Sequence, residues 1–315
     1  MKTQLASRSP TGEEAIFILY VRPGRRKAKK VAAAEVIALL RDLGATSSKG
    51  GPLSEVRGVA WVGLPIENVT TACSRIARLG YSSAVDLVQP LASNLVTGTE
   101  TVVTWKRHEV ALVRIYEESD EQLRDLAPDR RTFLLQCGDG VVRAITGYRG
   151  SPGPFEHRAL PVFDARLLVN LVWKESIGVL LDLFAGAGGI VIEAKAAGWT
   201  TVSVDNDPSL RFGLAQLSDY HIVASAISLP IADASVDAVA SEPPYHPAAL
   251  DVVIASLTEI SRVLKPGGRV ALLVAGGHAQ PIAHAAEKLK LLIEINEPID
   301  RKGTSVTCLC WRTAR

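Results

Sequence analysis

The sequence is short of several things, and each shortage removes a class of protein. Its 315 residues hold only four cysteines, Cys73, Cys137, Cys308 and Cys310. None forms a C-x-x-C pair, so neither a zinc site nor a disulfide framework is expected. Cys308 and Cys310 lie two apart in an alternating apolar run, which reads as two buried free thiols on one face of a strand. Long apolar runs are also missing. The longest, such as 15–21, fall far short of the roughly 20 residues that a membrane helix needs. The opening Met1–Pro10 is polar and carries no signal-peptide pattern. There is no internal repeat, no low-complexity block and no metal-ligand spacing. The expectation is a soluble cytoplasmic protein with no membrane partner and no metal.

What is present is a globular composition, 47% hydrophobic and 22% charged, long enough for two domains. The net charge of +2 conceals an asymmetry. Residues 1–150 carry 21 Lys and Arg against 16 Asp and Glu, and the remainder carries 14 against 17. Much of the basic surplus is one cluster: Arg22, Arg25, Arg26, Lys27, Lys29 and Lys30. Such a cluster suits a nucleic-acid phosphate backbone, and equally a solvated basic loop.

In the first half, 15–21 reads as a strand, 29–43 as a helix stopped by Gly44, 56–62 as a strand followed by a Gly-Leu-Pro turn, and 67–79 as a helix. Two β-rich stretches follow, around 101–116 and 132–146. The run Gly150-Ser-Pro-Gly-Pro154 is a linker signal, and the domain boundary is placed there, giving domains 1–150 and 151–315. Beyond it, βαβ alternation implies a parallel sheet covered by helices, with strands at 179–183, 201–204, 236–240 and 269–274 and a helix at 250–264. The tail, 291–296 and 304–311, reads as a hairpin, so the last strand runs antiparallel.

The chemistry gathers at Leu180-Leu-Asp-Leu-Phe-Ala-Gly-Ala-Gly-Gly189. A hydrophobic strand runs into Asp182, then a tight turn through Phe184, Ala185, Gly186 and Gly188, then a helix. Glycine allows close backbone approach to a ligand. The next strand ends at Asp205, a spacing at which a carboxylate reaches the ribose hydroxyls of a nucleoside. A nicotinamide site is disfavoured. Val191 stands where the third glycine of G-x-G-x-x-G belongs, and Asp182 would repel a pyrophosphate but could accept from a methionine ammonium group.

This stretch resembles motif I of the class I S-adenosylmethionine-dependent methyltransferases. The resemblance implies a Rossmann-like α/β fold with a seven-stranded sheet whose last strand is antiparallel, preceded here by a smaller α/β (α+β) domain. It implies S-adenosylmethionine as cofactor, with Asp207 of Asp207-Pro208 lining the adenine. It also implies an adenine contact at Ser225 and Ala226, where the family usually has Asp in place of Ser225. The strand-terminal Ser241-Glu-Pro-Pro-Tyr245 resembles the acceptor motif of amino methyltransferases. That motif localises an amine lone pair by hydrogen bonds from its N–H groups to a side-chain oxygen and a backbone carbonyl, while an aromatic ring stacks on the base. Glu242, Pro243 and Tyr245 are the expected catalytic residues, with Ser241 a second candidate acceptor. That motif holds Asp, Asn or Ser where this chain has Glu242, which is one methylene longer than Asp.

The segment Phe155-Glu-His-Arg-Ala-Leu-Pro-Val-Phe-Asp-Ala-Arg-Leu-Leu-Val-Asn-Leu-Val172 is similar to the lead-in of the THUMP-associated tRNA guanine-N2 methyltransferases. That resemblance implies guanine-N2 methylation in tRNA, with an RNA-binding N-terminal module, THUMP-like by position. Two other readings stay open. One is an amino methyltransferase for DNA adenine, DNA cytosine or protein glutamine. The other is a catalytically inactive RNA-binding protein that keeps the cofactor fold.

Overall fold

The computed structural model describes residues 14–25, 27–76, 78–91, 93, 95–119, 132–146, 160–301 and 303–314. The chain forms two compact units, residues 1–78 with 82–118, and residues 79–81 with 119–315.

The first unit is an α+β sandwich. Strands β1 (Glu14–Val21), β2 (Thr46–Ser47), β3 (Val59–Pro65), β4 (Ser82–Pro90), β5 (Glu100–Trp105) and β6 (His108–Glu117) form a sheet in the order β2-β3-β1-β4-β6-β5. Every pairing in it is antiparallel. Alternation in β1 puts Phe17 and Leu19 on one face and Ile18 on the other, and all three are fully buried. Helix α1 (Lys29–Leu39) packs on the sheet, and a single 3-10 turn, Arg41–Leu43, carries the chain on to Gly44 at φ +79°. Helix α2 (Val69–Arg75) is shorter than its apolar pattern suggests.

Two expectations are corrected here. The Gly63-Leu64-Pro65 run is not a turn after the strand but the last three residues of β3, paired with Ile16, Ala15 and Glu14 of β1. Pro65 sits at the strand's end, where its missing N–H costs little, and Gly63 leaves room for the Glu14 carboxylate. Strand β4, unread in the sequence, lies in the middle of the sheet.

The second unit holds a hairpin, β7 (Thr132–Gln136) with β8 (Val142–Thr146), helix α3 (Val162–Leu171), and a seven-stranded sheet. The sheet strands are β9 (Val179–Asp182), β10 (Thr200–Asp205), β11 (Tyr220–Val223), β12 (Val236–Ser241), β13 (Leu264–Ala275), β14 (Leu292–Arg301) and β15 (Thr304–Arg312). Their order is β11-β10-β9-β12-β13-β15-β14. Pairing is parallel from β11 to β13, and β15 runs antiparallel between β13 and β14. This is the expected fold class. Helices α4 (Gly189–Ala196), α5 (Arg211–Leu217), α6 (Leu250–Val263) and α7 (Ala279–Lys288) connect the strands. Cys308 and Cys310 are buried on β15.

The Gly150–Pro154 linker lies outside the described residues. The division between units falls earlier, at Glu118/Ser119, because the β7–β8 hairpin packs with the second unit. Phe133 is fully buried among Ala185, Ala187, Leu210 and Leu214, its ring filling the space that a side chain at Gly213 would need.

Strand order positions the site. β9 has β10 on one side and β12 on the other, so the chain reverses direction across the sheet at this point. Open parallel sheets bind ligands in the crevice at the carboxyl ends of strands flanking such a reversal. Asp182, Asp205 and Ser241 are the last residues of β9, β10 and β12.

Candidate active site

The turn after β9 is built by backbone geometry. Gly186 has φ +51° and Gly188 φ +76°, a region that side-chain-bearing residues rarely enter. A Cβ on Gly188 would also come within 2.7 Å of Leu217. Ala185 N–H donates to the Val204 carbonyl at 3.0 Å, and Gly188 N–H to the Ala185 carbonyl at 2.8 Å. The half-buried Asp205 carboxylate locks the turn to β10. It accepts from Gly186 N–H at 2.8 Å through Oδ2 and from Asp207 N–H at 2.9 Å through Oδ1. Asp207 in turn caps a 3-10 turn, accepting from Ser209 N–H at 2.9 Å. Ala224 N–H donates to the Asp205 carbonyl at 3.1 Å, which brings exposed Ser225 and buried Ala226 alongside. Phe184 is half-buried against the sheet core. All nine expected cofactor residues therefore converge on the ends of β9 and β10.

Asp182 is 1% exposed. Its Oδ1 accepts from Ser241 Oγ at 2.6 Å and, more weakly, from Phe184 N–H at 3.4 Å. Burial lifts its carboxyl to about 7; the Ser241 and Phe184 hydrogen bonds oppose the shift, and the charges of Asp205 and Glu242 add to it. Among the described residues no Lys or Arg is paired with it. A buried carboxylate facing two other carboxylates suits a ligand that brings a positive charge, such as an amino acid ammonium. This chemistry, with the open glycine turn, fits S-adenosylmethionine. Ser241, the second candidate acceptor, faces Asp182. It is fully buried and its hydroxyl serves Asp182, and it also accepts from Phe184 N–H at 3.1 Å.

The next residues form a second cluster. Glu242 Oε1 accepts from the Tyr245 hydroxyl and from Arg301 Nη1, the latter at 2.7 Å. Arg301 Nη1 also donates to the Tyr245 oxygen at 3.0 Å. Through Nε, 3.2 Å away, Arg301 pairs with Asp164 Oδ2. Asp164 lies in the first turn of α3, wholly buried, and accepts from the Tyr81 hydroxyl at 2.7 Å. Burial raises the Glu242 carboxyl, and Arg301 pulls it back down. Burial likewise pushes the Tyr245 phenol upward. Pro243 is buried beneath them.

Sequence reasoning found Glu242, Pro243 and Tyr245 but missed Asp164, Arg301 and Tyr81. Asp164 stands inside the lead-in stretch and could have been singled out as its only Asp. Arg301 lies 59 positions from Glu242 with no local pattern to mark it.

In the first unit the basic cluster does not stay together as a surface. Arg22 is 6% exposed, and its guanidinium grips Glu118 at 2.5 and 3.1 Å and the Ser82 carbonyl at 3.4 Å. Lys27 and Lys30 are exposed, Arg25 and Lys29 are half-exposed, and Arg26 lies outside the described residues. Among the described residues no group of side chains could hold a metal ion, and no helix is long and apolar enough to cross a membrane.

The family model described as "Methyltransferase domain" matches residues 181–272, from β9 through most of β13. The tRNA (guanine(10)-N2)-dimethyltransferase of Methanothermobacter thermautotrophicus is 33% identical over 87 residues, 26% of this chain and 26% of that protein. The enzyme of the same name from Methanocaldococcus jannaschii is 30% identical over 115 residues, 32% of this chain and 31% of that one. The alignments thus span under a third of either relative. A solved structure, the 1,6-didemethyltoxoflavin-N1-methyltransferase of Burkholderia thailandensis with S-adenosylhomocysteine, is 17% identical with a TM-score of 0.39, covering 48% of this chain and 79% of its own. The strand order, the glycine turn and the family match over residues 181–272 together support a class I S-adenosylmethionine-dependent methyltransferase fold for the second unit.

Proposed function

We propose that the chain transfers a methyl group to an exocyclic amino group of an RNA base, guanine N2 in tRNA. One observation carries the reading. Ser241 joins the donor and acceptor sides, because its hydroxyl bonds Asp182 while the next residue is Glu242. S-adenosylmethionine, held by Asp182, Phe184, Ala185, Gly186, Gly188, Asp205, Asp207, Ser225 and Ala226, supplies an activated methyl group. Glu242 accepts from the substrate amine, Pro243 stiffens the backbone beneath it, and the Tyr245 ring covers the base. No covalent intermediate is needed; the residues position two reactants and stabilise developing charge.

Two observations support RNA as the partner. The relatives named above act on tRNA by their names. Lys29 and Lys30 open α1 and Lys27 lies just before it, a basic group of the kind that meets a phosphate backbone. Incubation with labelled cofactor and total tRNA, rRNA, DNA and protein, followed by nucleoside and amino acid analysis, tests the reading. Methylated guanosine in tRNA is expected. Label in DNA or in protein glutamine would assign a different acceptor. A second reading, a cofactor-fold RNA-binding protein without turnover, draws on the engagement of both Glu242 and the Tyr245 hydroxyl by Arg301. It predicts cofactor and tRNA binding with no label transferred anywhere.

A further inference from the structure

We propose that Arg301 is a positioning residue of the acceptor site: it holds one oxygen of Glu242 and the hydroxyl of Tyr245, so that the other carboxylate oxygen meets the substrate amine. The proposal rests on the amino methyltransferase reading above.

Glutamate reaches one carbon–carbon bond farther than aspartate, about 1.5 Å. A free side chain of that length would also sample several rotamers. Arg301 removes both problems. Its Nη1 donates to Oε1 at 2.7 Å, and the Tyr245 hydroxyl, itself 3.0 Å from Nη1, donates to the same oxygen. Among the described residues Oε2 receives no hydrogen bond, so one oxygen is anchored and one is left to accept. Arg301 is itself anchored. Its Nε pairs with Asp164, which is 0% exposed and fixed by Tyr81 and by its place on α3. A planar guanidinium can bridge two carboxylates in fixed directions, which a lysine ammonium cannot.

The same contact governs charge. Glu242 faces Arg301 at the end of β14, Asp164 on α3, Tyr245 on its own loop and Asp182 at the end of β9. Of these only Arg301 is cationic. An acceptor carboxylate must be ionised, and burial opposes ionisation. Among the described residues, removing Arg301 leaves Glu242 between two acidic neighbours with no counter-charge.

The experiment is the pH dependence of kcat for methyl transfer to tRNA by the whole chain carrying Arg301→Gln or Arg301→Lys. In parallel, the Glu242 carboxyl is titrated by carbon-13 NMR. Arg301→Gln should move the acid limb of kcat up by about one to three pH units, the effect of losing one adjacent opposite charge. Activity should therefore return in part at alkaline pH. Arg301→Lys keeps the charge and loses the fork, so its acid limb should stay near wild type while kcat falls at every pH. A purely structural role would lower both variants uniformly with pH and leave both limbs in place, and that result overturns the proposal. So does a Glu242 titration unmoved by Arg301→Gln in a folded protein. If wild type transfers no methyl group while the NMR titration does shift, the functional reading falls and the control of Glu242 by Arg301 stands.

Discussion

Cofactor affinity should depend on a single proton on Asp182. Burial holds this carboxyl at about 7, so near neutrality it is a mixture of acid and carboxylate. Only the carboxylate pairs with an ammonium group. At pH 8 about nine molecules in ten are ionised, and at pH 6 about one in ten. The affinity for S-adenosylhomocysteine should fall about tenfold between those values, or about 1.4 kcal/mol. At pH 6 each binding event should release close to one proton. Calorimetry in two buffers of different ionisation enthalpy counts that proton directly. Asp182→Asn should bind weakly and with no pH dependence. The free protein responds in the opposite sense. A carboxyl raised in the fold binds protons that the unfolded chain does not between about pH 4 and 7, so this group makes the apo fold less stable as pH rises through that window. Wild-type affinity that is flat from pH 6 to 8, with no proton released, would refute the role given to Asp182.

Other outcomes follow from the same geometry. Asp205→Ala should weaken S-adenosylhomocysteine binding by about 1.5–3 kcal/mol by calorimetry, the range for hydrogen bonds to a charged group; the turn at Gly186 loses its anchor as well. Phe133→Ala should destabilise the second unit by about 3–5 kcal/mol in urea unfolding, because it empties the space between the hairpin and α5. Replacing Arg25 and Lys27 with Ser should flatten the salt dependence of tRNA binding and spare cofactor affinity, and an unchanged slope would make the cluster a solvated loop. Arg22→Ala should instead act on stability, by about 1.5–3 kcal/mol, since the buried Glu118 loses its charge-assisted hydrogen bonds from the guanidinium.

Much of the second unit could be read from local pattern. Its parallel strands are short apolar runs, its cofactor turn is contiguous, and Asp205 follows at a spacing set by one helix and one strand. The antiparallel tail was legible because two strands and a turn are adjacent in the chain. What escaped depends on contacts distant in sequence. Strand β4 is buried on both faces, so Ser82–Pro90 shows little alternation to read. Arg22 looked like a member of a basic run, yet its partner Glu118 is 96 positions away. Ser241 looked like a substrate ligand, and only the adjacency of β9 and β12 reveals that it faces Asp182. Arg301 has the same character: one arginine at the end of β14, 59 positions from Glu242 and with β13 and β15 lying between its strand and β12.

The placement of β15 has a consequence for biosynthesis. This strand slots between β13 and β14, and Arg301 ends the strand just before it. A ribosome that has made β13 has already released every cofactor residue, but neither Arg301 nor the strand that pairs with β13. Glu242 and Arg301 are 59 residues apart, about 3–12 s of translation at ordinary elongation rates. Until Arg301 is made, the acceptor cluster has, among the described residues, two acidic groups and no arginine, and from the completion of β13 at Ala275 until β15 is made the nascent domain exposes an unpaired β13 edge. The donor half of the site is thus complete before the acceptor half, and the last hairpin both seals the sheet and completes the acceptor cluster.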